Sequence, residues 1–135
     1  MNTTNFNKEK IINYWIVGSD DDFDTMIAML NTKRYSWSLF LGHLTIEKLL
    51  KAYYTKTVED YPPFTHNLLK IAKDSKLELT KELTLQLVTI TAFNLNTRYD
   101  DYKRSFHKKC TPEFTNEWVK KIKEIRKWIK EQINQ

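Results

Sequence analysis

Glycine is nearly missing from this chain. Only Gly18 and Gly42 occur in 135 residues, with three prolines, where average usage would give roughly 12% for the two types together. So few turn-makers exclude collagenous and low-complexity sequences and most multi-hairpin β architectures. Two such distant glycines cannot write either common glycine-rich phosphate loop. Cysteine is scarcer still. The lone Cys110 excludes an internal disulfide and any cysteine-based zinc set, and it suits a reducing compartment, so a cytoplasmic location is expected. The first ten residues are polar, and no run approaches the roughly 18 uninterrupted apolar residues of a membrane span. Neither a signal peptide nor a membrane partner is expected.

What is present is aromatic and basic. Four Trp, seven Tyr and seven Phe make 13% of the chain, too many for a disordered segment. The length fits one domain over residues 1–135, burying about two-thirds of its unfolded surface. The net charge of +5 is unevenly spread. Residues 1–102 carry 12 Lys/Arg against 13 Asp/Glu, a net of −1, whereas residues 103–135 carry 10 against four, a net of +6. A basic C-terminal quarter fits a polyanion partner, with salt-sensitive and sequence-tolerant binding. It fits a solvated, Lys-rich helix face equally well.

The apolar spacing is helical nearly throughout. Residues 8–17 place Ile12, Trp15 and Ile16 on one face, with Gly18 expected as a helix C-cap. Ser19 and Asp20-Asp21-Asp22 then read as the N-cap and acidic first turn of a second helix carrying Phe23, Met26, Ile27 and Leu30. A helix from about Tyr35 to Thr57 bears Trp37, Phe40, Leu41, Leu44, Ile46, Leu49, Leu50 and Tyr53 around most of its circumference, which predicts a central, buried helix. Residues 59–64 are the clearest loop, and Thr65 reads as the N-cap of a short helix through Leu68, Leu69 and Ala72. Thr80 opens a helix with Leu83, Leu87, Ile90 and Phe93 that runs to about Asn96. Residues 97–110 show no clear period. Thr111-Pro112-Glu113 is a strong helix start, followed by a stripe of Phe114, Trp118, Ile122, Ile125, Ile129 and Ile133 with lysines at 120, 121, 123, 127 and 130. The fold class is all-α, an up-and-down bundle of five or six helices.

Two groups of residues could carry chemistry. His43, Glu47 and Lys51 recur every fourth residue and form one polar stripe on the otherwise apolar central helix, with Lys48 beside it. Such a stripe must be paired, hydrated or facing a cleft. It either offers Lys donors to a phosphate or holds a Glu47–Lys51 pair and a buried bridge to a distant Arg. The second group is Arg98-Tyr99-Asp100-Asp101-Tyr102-Lys103-Arg104-Ser105-Phe106-His107. It mixes bidentate phosphate donors with stackable rings, or it is a loop in which Arg98 pairs with Glu47 or an Asp. His43, His66 and His107 lack an HxxxH or HExxH arrangement, so no metal and no cofactor are expected. Lys108 and Lys109 could lower the pKa of Cys110, although a lone thiol without a placed base is usually inert. Asp20, Asp21, Asp22 and Asp24 suggest either a cation site or, more economically, helix-start electrostatics.

In order and distance, several segments resemble a known family. They are Tyr14-Trp15, the stretch Leu44-Thr45-Ile46-Glu47-Lys48-Leu49-Leu50-Lys51-Ala52, the proline loop with Thr65-His66-Asn67-Leu68, and Arg98-Tyr99-Asp100-Asp101. Together they resemble the prokaryotic HEPN domain (higher eukaryotes and prokaryotes nucleotide-binding) over roughly residues 8–130. The resemblance implies a helical bundle that forms a homodimer and takes nucleotide or RNA. It also implies pairing with a minimal nucleotidyltransferase (MNT) in a toxin–antitoxin-type module. In the ribonuclease members an Arg, followed after four to six residues by a His, cleaves RNA without metal. There His is the acid or base and Arg stabilises the phosphorane charge.

This chain departs from that motif. Eight residues separate Arg98 from His107 and two separate Arg104 from it, and Lys109 stands where some toxin members have Tyr. Arg98-Tyr99 instead resembles the Arg-Tyr-Pro of members unlike the nucleases, with Asp100 in place of Pro. The expected function is therefore nucleotide or RNA binding without catalysis, with Lys48, Lys51, His66, Arg98, Tyr99 and Arg104 lining one cleft. The alternatives are a metal-independent ribonuclease toxin using Arg98 or Arg104 with His107, and a protein-interaction module that binds no nucleic acid.

Overall fold

The computed structural model describes residues 6–135, and over them the chain forms six helices and no strand. Helix α1 spans Lys8–Asn31, with Asn7 Oδ1 accepting the Lys10 N–H at 3.1 Å as its N-cap. It runs straight through Gly18, where the sequence predicts a C-cap followed by a new helix. The local signals lose to tertiary contacts. Ser19 is buried and donates its hydroxyl to the Thr45 carbonyl at 2.7 Å, and Gly18 lies against the Lys48 stem, where a Cβ would come within 3.2 Å of Cδ. A mid-helix glycine costs only about 1 kcal/mol against alanine, which such contacts offset.

Helix α2, Tyr35–Val58, is the central helix its all-round apolarity predicts. More than half of its 24 residues are buried, and it touches every other helix. At Gly42 two neighbours close in: a Cβ there would lie 2.5 Å from Ile122 Cδ1 and 3.2 Å from Met26 Sδ. Hydroxyl groups tie α2 to its flanks, with Ser38 donating to the Met26 carbonyl at 2.9 Å and Thr97 to the Ser36 carbonyl at 2.9 Å.

Helix α3, Leu68–Asp74, is capped by Asn67, which accepts from the Lys70 N–H at 3.2 Å. Thr65, the N-cap expected from sequence, instead accepts the Asn67 N–H at 3.1 Å and so shapes the approach. Helix α4, Lys81–Arg98, starts at Thr80, and α6, Pro112–Ile133, starts at Thr111, both as predicted. The short α5, Ser105–Lys109, lies in the stretch that showed no period. The core is built from Leu39, Ile46, Leu49 and Leu50 of α2, Leu87, Ile90 and Phe93 of α4, and Ile122, Ile125 and Ile129 of α6. Phe93 packs edge-on against Trp118 at 5.5 Å.

With so little glycine, four connections close through left-handed residues that carry side chains: Lys33, Glu59, Lys76 and Arg104, at φ of 62°, 61°, 62° and 57°. Each costs roughly 1–2 kcal/mol.

Apolar surface beyond what the core uses lies on α4 and not on α6. The α6 stripe faces the core from Trp118 to Ile133. Helix α4 instead has two apolar faces. Leu87, Ile90 and Phe93 point inward, while Leu85, Val88, Leu95 and Tyr99 are 60%, 52%, 60% and 70% exposed. With Ala92, also exposed, they recur at alternating steps of three and four, the seam spacing of paired helices. No charged residue occurs between Leu83 and Thr97. No helix among the described residues is long and apolar enough to cross a membrane.

Candidate functional site

The polar stripe of α2 lies in the interior. His43, Glu47 and Lys51 are all buried, so their donors and acceptors must be met from within the fold. Lys51 Nζ pairs with Glu47 Oε2 at 3.1 Å, and the proline loop brings His66 Nδ1 to 2.7 Å from Glu47 Oε1. The carboxylate only accepts, so Nδ1 carries the proton, and the His66 side chain is otherwise largely exposed. The loop supplies a second partner as well: the His66 carbonyl lies 2.9 Å from His43 Nε2. A carbonyl accepts, which fixes the His43 tautomer as Nε2–H and leaves Nδ1 to receive the Asn94 amide at 3.2 Å.

Asn94 then accepts from Arg98, one turn further along α4, through its side-chain oxygen, while Arg98 Nε donates to the Asn94 carbonyl at 3.3 Å. The guanidinium lies over the rings of Tyr99, at 5.0 Å, and Phe40, at 5.8 Å. Among the described residues no carboxylate pairs with it. Every bond from Arg98 through Asn94 and His43 to the His66 carbonyl donates in the same direction. The network follows α2 from Phe40 to Lys51, about 16 Å at the helical rise per residue.

Burial lowers the His43 pKa below its ordinary 6.5; the His66 carbonyl and Glu47 pull the other way without reversing it. The neutral ring is the folded form. An unfolded chain takes up the proton near pH 6.5 and the folded chain resists it, so stability is full above that pH and declines as pH falls below it. Urea midpoints should therefore drop between about pH 7 and pH 5, with a shallower drop in His43→Gln. Equal slopes in the two proteins would refute this role for His43.

A family model described as the HEPN domain matches residues 12–132. The chain belongs to the HEPN family. Neither the curated proteins nor the solved structures searched contain a match.

This HEPN domain joins some of the sequence-predicted residues and separates others. Lys51, His66 and Arg98 belong to one network, with Tyr99 stacked on its end. Lys48 does not. It crosses to α1 and pairs with Asp22 at 2.7 Å, in a different cavity from Tyr99. Arg104 sits in a left-handed turn as the residue before α5 and caps nothing with its side chain. The single cleft expected for Lys48, Lys51, His66, Arg98, Tyr99 and Arg104 is thus not what the fold builds. Arg98 pairs with Asn94 where the sequence suggests Glu47 or an Asp, and Asn94 is the network member that sequence reasoning missed. Its position four residues before Arg98, on the same helix face, was the available signal.

The segment that carries His107 is organised by acids. Asp100 accepts the backbone N–H groups of Phe106 and His107 at 3.0 and 2.9 Å, and Asp101 accepts that of Ser105 at 2.9 Å. For Asp100, desolvation pushes the carboxyl up, but these amides outweigh it and hold the pKa below the usual range. Among the described residues no hydrogen bond or ion pair joins His107 to Arg98 or Arg104.

The remaining candidates have structural roles. Desolvation raises the buried Cys110 thiol to about 11 against the pull of Lys109, so the neighbouring lysines do not activate it. Asp20 pairs with Arg126 at 3.1 Å and Lys130 at 2.7 Å. The acidic run therefore latches α1 to α6 and α2, where a helix start was expected, and no metal-binding cluster occurs among the described residues. Those latches also neutralise part of the basic C-terminal quarter. Lys121 is paired with Glu117 at 2.8 Å, leaving Lys120, Lys123 and Lys127 as its exposed, unpaired lysines on α6 among the described residues.

Proposed function

We propose that this HEPN domain binds nucleotide or RNA as a homodimer, without catalytic activity of its own, and acts beside a nucleotidyltransferase in a toxin–antitoxin-type pair in the cytoplasm. The observation that carries the reading is Arg98. A guanidinium that is unpaired, clamped by Asn94 and flanked by two rings has lost little further freedom to give up when it meets a phosphate. Tyr99 beside it, 70% exposed, offers a face for a base. The exposed α4 seam supports the dimer, because matching uncharged stripes on two copies bury each other.

The test is fluorescence anisotropy of a labelled single-stranded RNA. Arg98→Ala should weaken binding about tenfold, in line with one charge-assisted contact. Wild-type affinity should fall steeply between roughly 50 and 200 mM salt. An affinity flat in salt, or unchanged in Arg98→Ala, overturns the reading. RNA cleavage in EDTA that is lost in His107→Ala would favour the ribonuclease alternative.

A further inference from the structure

The loop 59–67, of which residues 59–64 read from sequence as a loop, builds a cavity of about 280 Å³ against α1. Four aromatic rings surround it: Tyr14 and Trp15 from α1, and Tyr61 and Phe64 from the loop. Trp15 is half-buried against the core, and the other three rings stay in water. Tyr14 and Tyr61 are more than half exposed, and Phe64 is exposed completely. Rings left in water around a concavity, with cations at its edge, mark a binding site more than a packing defect.

The cavity is preformed. Pro62 and Pro63 fix their own φ angles, and the Thr65 N–H closes a turn onto the Pro63 carbonyl at 3.0 Å. Tyr61 is braced edge-on by Phe6 at 5.2 Å, and Trp15 by Tyr14 at 5.1 Å. Of the loop's two acids, Asp60 is turned onto the Tyr61 N–H at 2.7 Å and Glu59 lies 3.6 Å from Lys8. The charge that lines the site is positive. Lys51 Nζ sits 5.1 Å from the centre of the Trp15 ring, with its pairing to Glu47 behind it. Lys10, exposed and without an ion-pair partner among the described residues, stands on the rim. Lys10, Tyr14 and Trp15 also line a second cavity of about 510 Å³ that continues toward Lys48.

We infer that the aromatic cavity between α1 and the proline loop holds one base of a 5′-phosphorylated nucleotide, with Lys10 meeting the phosphate at the rim. Flat rings match the faces of a base, the cavity of about 280 Å³ is ample for one, and Lys10 at the rim is placed for the phosphate. Lys51 gives the inner wall one fixed donor for a ring nitrogen or carbonyl. A mononucleotide and the 5′ end of an RNA share this chemistry. The inference rests on the nucleotide-binding reading above but assigns the base to a place separate from Arg98.

Titration of the full chain with AMP, with ribose 5-phosphate and with a 5′-phosphorylated hexaadenylate tests it. Phe64 and Tyr61 are exposed, so Tyr61→Ala/Phe64→Ala leaves the core intact. In that variant the affinity for AMP, for the hexamer or for both should fall about tenfold or more, as for loss of a stacking platform, and ribose 5-phosphate should bind wild type at least about tenfold more weakly than AMP. A fall for AMP alone identifies a mononucleotide site, and a fall for the hexamer alone an RNA end. Unchanged affinities in the double variant, with the hexamer weakened by Arg98→Ala, overturn the cavity while leaving the broader function standing. Ribose 5-phosphate binding as tightly as AMP overturns base recognition. No binding of either nucleotide by wild type overturns both.

Discussion

Glu47→Ala is expected to destabilise the fold by roughly 3–5 kcal/mol, the range for removing one partner of a buried ion pair. Glu47 and Lys51 have side chains only 5% and 8% exposed, and the carboxylate also receives His66. Truncation would leave the Lys51 ammonium in the interior with the Trp15 ring as its remaining contact, and would free the loop that His66 anchors. Urea unfolding should show a lower midpoint with a similar slope. Glu47→Gln, which keeps an acceptor but no charge, should fall between the two. The double variant Glu47→Leu/Lys51→Met should recover most of the loss, because the cost lies in the orphaned charge and not in the missing bond. A loss below about 1 kcal/mol in Glu47→Ala would mean that water entering through the aromatic cavity solvates the Lys51 ammonium and that the pair behaves as an exposed one.

Leu85→Glu/Leu95→Glu should convert a dimer to a monomer. Both side chains are 60% exposed in the single chain, so the substitutions cost the monomer little and its helicity should be unchanged. In a symmetric dimer the pair occurs twice. At about 1.5–3 kcal/mol for each large apolar side chain fully buried, the dissociation constant should rise at least 100-fold or so. Sedimentation at micromolar concentration reads this directly. Wild type behaving as a monomer at every concentration, or the variant sedimenting as wild type does, removes α4 as the seam.

The spacing of apolar residues was enough to place α2 at the centre, because a helix apolar all round has nowhere else to go. It was also enough to start α4 and α6 at Thr80 and Thr111, where capping depends on residues three positions away. The acidic run misled for the opposite reason. Its partners Arg126 and Lys130 lie more than a hundred positions along the chain, and a local rule about helix starts explained the charges without them. Helix α4 hid its outer seam because two apolar faces blur each other's period. The polar stripe was visible in the spacing of His43, Glu47 and Lys51. Its partners were less so: His66 reaches Glu47 only through the path of the proline loop, and no spacing rule describes that path. The aromatic cavity is the extreme case, since its rings come from segments nearly fifty residues apart and none of them is buried enough to mark a core position.

The left-handed turn residues shape the motions of the molecule as well as its static form. A glycine in such a turn stays relaxed whether or not the adjoining helices are docked. Lys33, Glu59, Lys76 and Arg104 are strained while the helices hold them and relax when a helix end lifts. Opening is therefore favoured at the connections and opposed at the centre of the bundle. Glu59 begins the proline loop and Arg104 precedes α5, so two of the four strained connections adjoin the aromatic cavity and the segment beside Tyr99. Backbone strain is thus stored at the connections, two of which flank the places where a ligand would enter, and not along α2.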